Sequence, residues 1–210
     1  MISAFWEMFK PLYAVYTLEG YTENEIAYLK ELFGALPRVL EDYYRAAGRT
    51  KAFHCVQDTW MLPEHFQKWE WLREPEYLIL LNENQGVCQA GIRREDLMLP
   101  DPPVYVTEDD KNWALCAPTA SEFLSAALAY EGVFTFEYNP EEFYWLTEEE
   151  LGLIQSKLTK LPFEMTNWLC GMRITLYSNE PDNMEALVKG YKKNKALERM
   201  FQSLMLFCQG

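Results

Sequence analysis

The stretch from Glu76 to Val106, EYLILLNENQGVCQAGIRREDLMLPDPPVYV, decides the fold. Tyr77 to Leu81 is a run of strand formers, Asn84-Gln85-Gly86 is a turn signal, and Val87 to Ile92 is a second apolar run. Two such runs joined by a Gly-containing connection predict a β-hairpin. Pro100-Asp101-Pro102-Pro103 then interrupts the chain, and Val104-Tyr105-Val106 opens a third strand. Proline has no backbone donor for a sheet ladder, so the proline pair belongs at a strand entrance.

Helices are expected on both sides of this block. Upstream, Thr22 with Glu25 forms a capping-box pattern, in which each side chain satisfies a backbone N–H of the first turn. Ile26, Leu29, Leu32 and Phe33 follow at helical spacing, and Gly34 stops the run. Pro37 suits the first position of a second helix, Val39, Leu40, Tyr43, Tyr44 and Ala47 line its buried side, and Gly48 suits the position just past its end. Pro63 to Leu72 is compatible with a further helix. Downstream, Asp109 to Asn112 is turn-like and Trp113 to Cys116 reads as a fourth strand. Thr119 with Glu122 repeats the capping pattern before a helix running to about Glu131.

Beyond Gly132 the pattern is mixed. Val133 to Phe136 fits a strand or the end of the preceding helix. Thr147 with Glu150 opens an amphipathic helix continued by Leu151, Ile154, Leu158 and Leu161. Met172 to Tyr177 alternates apolar and polar residues, as a half-buried strand does. Leu197, Met200, Phe201, Leu204 and Met205 share one face of a last helix starting near Asn194. The order predicts an α+β fold with a mostly antiparallel central sheet flanked by helices. The expectation is one domain over 1–210, its core at about 22–131, with 132–210 completing it.

The same block carries a family resemblance. A strand, Asn-Gln-Gly, a second strand, then Asp101-Pro102-Pro103-Val104 with Trp113 shortly after resembles the Smi1/Knr4 family, also called the SUKH superfamily. Leu36-Pro37 opening a helix that ends in Tyr43-Tyr44-Arg45-Ala46-Ala47-Gly48, and Ser121-Glu122-Phe123-Leu124 opening another, extend the resemblance over roughly Ile26 to Glu131. Ala47 departs from the family's usual Asn before Gly48. The resemblance implies a Smi1/Knr4-like fold and a non-catalytic binding role. Bacterial members are read as immunity proteins of polymorphic toxin systems, each neutralising a cognate toxin domain. Fungal relatives look like regulatory adaptors of cell-wall glucan synthesis.

Composition bounds the partners. The 210 residues carry a formal charge of -13, which repels nucleic acid and anionic membrane surfaces and attracts a basic protein. No apolar run approaches the roughly 20 residues of a membrane span. The opening MISAFWEMFK has no basic region leading into an apolar core. Five dispersed cysteines, none in a CxxC spacing, suggest reduced thiols in a cytoplasmic protein.

Catalytic patterns are weak. His54 and His65, with Cys55 and Glu64 nearby, match no standard zinc-ligand spacing, and no Walker A, GxSxG or GxGxxG motif is present. No catalytic residue, metal or cofactor is therefore expected, and an enzyme with an unrecognised site around the histidines or the hairpin is the alternative. Acids next to aromatics suit a basic protein partner, since Trp and Tyr anchor interfaces at low entropic cost. The candidate partner-binding residues are Glu137, Glu141, Glu142, Tyr144 and Trp145, with Asp109 and Asp110 as the second set.

Overall fold

The computed structural model of the chain describes residues 17–51, 54, 58–73, 76–135, 148–157, 159–166, 173–178 and 205–209. Helix α1 (Glu23–Phe33) starts at Thr22, whose hydroxyl accepts the Glu25 N–H while the Glu25 carboxylate accepts the Thr22 N–H. Gly34 ends it in the left-handed conformation at φ 78°. Helix α2 (Arg38–Ala47) follows Pro37, which serves as its N-cap and not as its first residue.

Gly48 is a correction. It closes α2 at φ -57°, so no left-handed cap is used. Its need for glycine comes from crowding: a Cβ there would lie 2.8 Å from both the Tyr21 ring and the Tyr44 Cα.

The main sheet has five strands in the order β1 (Thr59–Trp60), β2 (Tyr77–Asn82), β3 (Gln89–Arg93), β4 (Val104–Thr107) and β5 (Ala114–Ala117), all neighbours antiparallel. The expected hairpin is β2–β3, with pairing that begins at Gln89 and not at Val87. Its turn carries Gly86 at φ 71°. Between β1 and β2 lie helix α3 (Pro63–Lys68) and a short 3-10 turn (Glu70–Leu72), so the single helix expected over Pro63–Leu72 is broken in two at Trp69.

Helix α4 (Ala120–Thr135) runs through Val133–Thr135, which settles that ambiguity in favour of helix. Its start is held partly by Thr119, whose hydroxyl accepts the Glu122 N–H at 3.2 Å. Asp101 from the proline-rich segment adds a second hold, accepting the Ser121 N–H at 2.8 Å and the Ser121 hydroxyl at 2.6 Å. The Asp101-Pro102-Pro103 and Ser121-Glu122-Phe123-Leu124 segments are thus tied together.

Helix α5 (Glu148–Lys157) stops earlier than expected, and Leu161 lies in β6 (Thr159–Thr166). Strands β6, β7 (Arg173–Ser178) and β8 (Met205–Gln209) form a separate three-stranded antiparallel sheet. Among the described residues, these C-terminal strands form a second sheet that lies against α4 and β5. Met205, placed on a helix by its spacing, begins β8. The rest of that expected helix lies outside the described residues.

One core joins α1 to α4 and the main sheet. Ile26, Leu29, Leu40, Tyr43, Phe66, Phe123 and Leu124 pack with Leu78, Ile92 and Val104 of the main sheet. Phe33 meets Phe66 edge-on with centroids 5.3 Å apart, and Trp60 of β1 meets Phe123 of α4 at 6.2 Å. Among the described residues, no helix is long and apolar enough to cross a membrane.

Candidate partner-binding surface

Strand register builds this surface. Gly91 faces Tyr105 across β3–β4, and Tyr105 faces Leu115 across β4–β5. Directly opposed residues of antiparallel strands share a face, and residues two apart along a strand do as well. Tyr105, Trp113 and Leu115 therefore share one face with Arg93. The rings confirm it: Tyr77 stacks on Trp113 with centroids 3.7 Å apart and planes 7° from parallel, and meets Tyr105 edge-on at 6.0 Å.

Arg93 completes the group. Its guanidinium lies 4.5 Å from the Tyr105 ring centre and pairs with Glu95 at 3.1 Å. Hydrogen bonds to Tyr77 and Glu95 raise its pKa further, so it is a permanent cation. Gly91 leaves the middle of the face low, since a Cβ there would lie 2.9 Å from the Leu78 carbonyl oxygen. Tyr77 is buried beneath its neighbours, Tyr105 and Trp113 are half-buried, and Leu115 is 57% exposed.

The β4–β5 connection places acids at the end of this face. Glu108, Asp109 and Asp110 are all exposed. Asp109 organises the loop: its carboxylate accepts the Lys111 N–H at 3.0 Å, the Asn112 N–H at 2.7 Å and the Asn112 side-chain amide at 2.6 Å. The Asn112 bonds, then the Lys111 N–H, hold its carboxyl down at about 2. Asp110 adopts φ 60° and accepts a hydrogen bond from the Gln89 side chain. Of the two acids expected from sequence, Asp109 is turned to the loop's own donors, while Asp110 and the neighbouring Glu108 present charge outward.

Glu137, Glu141, Glu142, Tyr144 and Trp145 lie outside the described residues. Sequence patterning alone does not single out Glu108, Tyr105, Trp113 and Leu115 as members of a surface. The alternation of Trp113 and Leu115 around exposed Ala114 carried a signal for the last two.

The other candidate chemistries are absorbed by the fold. In the β2–β3 turn, Glu83 accepts the Gln85 N–H at 2.7 Å and the Val87 N–H at 3.3 Å, and Asp58 accepts the Asn84 N–H at 3.3 Å. These amides point at the chain's own buried carboxylates, so they do not form a phosphate cradle. His54 Nε2 lies 3.1 Å from the Gly48 carbonyl oxygen, and His65 Nδ1 lies between backbone groups of Trp60 and Leu62. Cys55 lies outside the described residues. Among the described residues, no group of three or more His, Cys, Asp or Glu is placed to hold a metal ion. Burial, then the nearby Glu83 and Asp58 carboxylates, pushes the Cys88 thiol up to about 12, and burial alone pushes Cys116 up to about 12. Such thiols are poor nucleophiles at neutral pH.

No family model matches the chain, and no curated protein or solved structure does.

Proposed function

We propose that this chain is a non-catalytic protein-binding module resembling the Smi1/Knr4-type immunity proteins, and that it neutralises a basic toxin domain by covering it. The observation that carries the proposal is the exposed acidic loop Glu108–Asp110 adjoining the aromatic face of Tyr105, Trp113 and Leu115. The two halves do different work. The acids, within a chain of net charge -13, steer a basic surface toward the face and fix its orientation. The rings and Leu115 supply the desolvated contact that holds it, as aromatic anchors do at the centre of an interface.

A toxin acting on nucleic acid has a basic substrate groove, so charge steers an acidic binder to that groove. The test is capture of partners by the tagged protein from its own organism's lysate at low salt, with identification by mass spectrometry. The wild type is expected to retain a stoichiometric basic protein, and the Asp110→Lys and Trp113→Ala variants to lose it. Retention of a small molecule or metal with no protein partner would overturn the proposal in favour of an enzyme.

A further inference from the structure

His65 sits where two backbone groups of opposite polarity compete for one ring nitrogen. Its Nδ1 lies 3.1 Å from the Leu62 amide nitrogen and 3.1 Å from the Trp60 carbonyl oxygen. The Leu62 N–H can only donate, so bonding it requires a bare Nδ1. The Trp60 carbonyl can only accept, so bonding it requires a protonated Nδ1. One nitrogen cannot satisfy both at once.

The position gives the choice a consequence. His65 is the third residue of α3, and its acceptance of the Leu62 N–H is the closure that Glu or Gln usually makes in a capping box. The Trp60 carbonyl belongs to edge strand β1. The imidazole also stacks on Trp69, centroids 4.6 Å apart and planes 14° from parallel, and Trp69 stacks in turn on Trp71, which is 51% exposed.

We propose that His65 is a proton-operated latch: neutral, it closes the start of α3 through the Leu62 N–H; protonated, it releases that bond, takes the Trp60 carbonyl instead and binds Trp69 as a cation over a ring. The swap needs no movement of the backbone, because both partners already lie within hydrogen-bond distance of the same atom. An imidazolium gains from the facing indole electrostatically, so the stack survives while the cap opens.

The charges around the ring are mixed. Glu64 on the same helix favours the charged form, while Lys68, one turn on, and His54 from the segment after α2 oppose it. Glu64 is itself held by the Tyr21 hydroxyl at 2.8 Å, and Arg49 lies over the Tyr21 ring. Partial burial, the largest influence, keeps His65 below the ordinary imidazole range. The latch is therefore closed at neutral pH and opens only on acidification.

The experiment is a pH titration of the full chain by heteronuclear NMR, following the ring nitrogens of His65 and the amide proton of Leu62. The expected result is a neutral ring carrying its proton on Nε2, with the Leu62 amide moving upfield at the same midpoint as the ring titrates. His65→Gln, which keeps an acceptor at this position, is expected to abolish the Leu62 transition. A neutral ring protonated on Nδ1, or a Leu62 amide indifferent to the His65 titration, would overturn the proposal.

Discussion

Tyr77 and Trp113 stack face to face, 3.7 Å between centroids and 7° between planes, although Tyr77 opens β2 and Trp113 lies beyond β4. The stack thus closes over the three strands β2, β3 and β4 and fixes the aromatic face as a unit.

Removing the upper ring exposes the lower one. Trp113→Ala is expected to destabilise the fold by about 1–3 kcal/mol, combining lost half-buried area with the lost stack. Urea unfolding measures it, with Trp113→Phe recovering a substantial part.

Crowding at the end of α2 yields a second expectation. Gly48→Ala forces a methyl group against the Tyr21 ring and the Tyr44 backbone, each 2.8 Å away, and is expected to cost about 1–3 kcal/mol. Gly34→Ala meets no neighbouring atom and suffers only its positive φ, about 1–2 kcal/mol. Thermal denaturation of the two variants separates packing from conformation: a Tyr21→Ala background relieves the ring's share of the first, leaving the contact with the Tyr44 backbone, and leaves the second unchanged.

The hairpin was legible because its signals are local: two apolar runs, a Gly turn and a proline pair. The capping box at Thr22–Glu25 was legible for the same reason. Strand β1 was not, since Thr59–Trp60 has no periodicity and is a strand only because Leu81 and Asn82 pair with it. Val133–Thr135 has β-forming residues, yet it continues α4; tertiary context overrides propensity there. Leu161 fitted the helical spacing of its predecessors but pairs within a sheet. The aromatic face was hidden because it depends on register, which only the pairing of Gly91, Tyr105 and Leu115 reveals.

Acid is expected to loosen the β4–β5 loop. Asp109, held at about 2 by the Asn112 and Lys111 donors, lies below the ordinary carboxyl value of about 3.9. A depressed carboxyl contributes order above its unfolded value and loses it as pH falls through the folded one. The Lys111 and Asn112 amides are therefore expected to lose protection from exchange as pH drops through that window. In Asp109→Asn, which keeps an acceptor but cannot titrate, they should show no such step. The group is exposed, so added salt weakens the effect.

Cys88 and Cys116 are buried, with thiols raised to about 12. Both are expected to resist a thiol-specific reagent at mildly alkaline pH until denaturant is added. Peptide mapping of the labelled protein checks each site, and rapid labelling of either in the native state would contradict their placement.

The central claim is best tested on the purified chain and its captured partner, by association and dissociation rates across a salt series for wild type, Asp110→Lys and Trp113→Ala. The account predicts that wild-type association slows as salt screens the acidic loop, that Asp110→Lys already associates slowly at low salt, and that Trp113→Ala mainly speeds dissociation. Association indifferent to salt, with both variants binding as the wild type does, would contradict it.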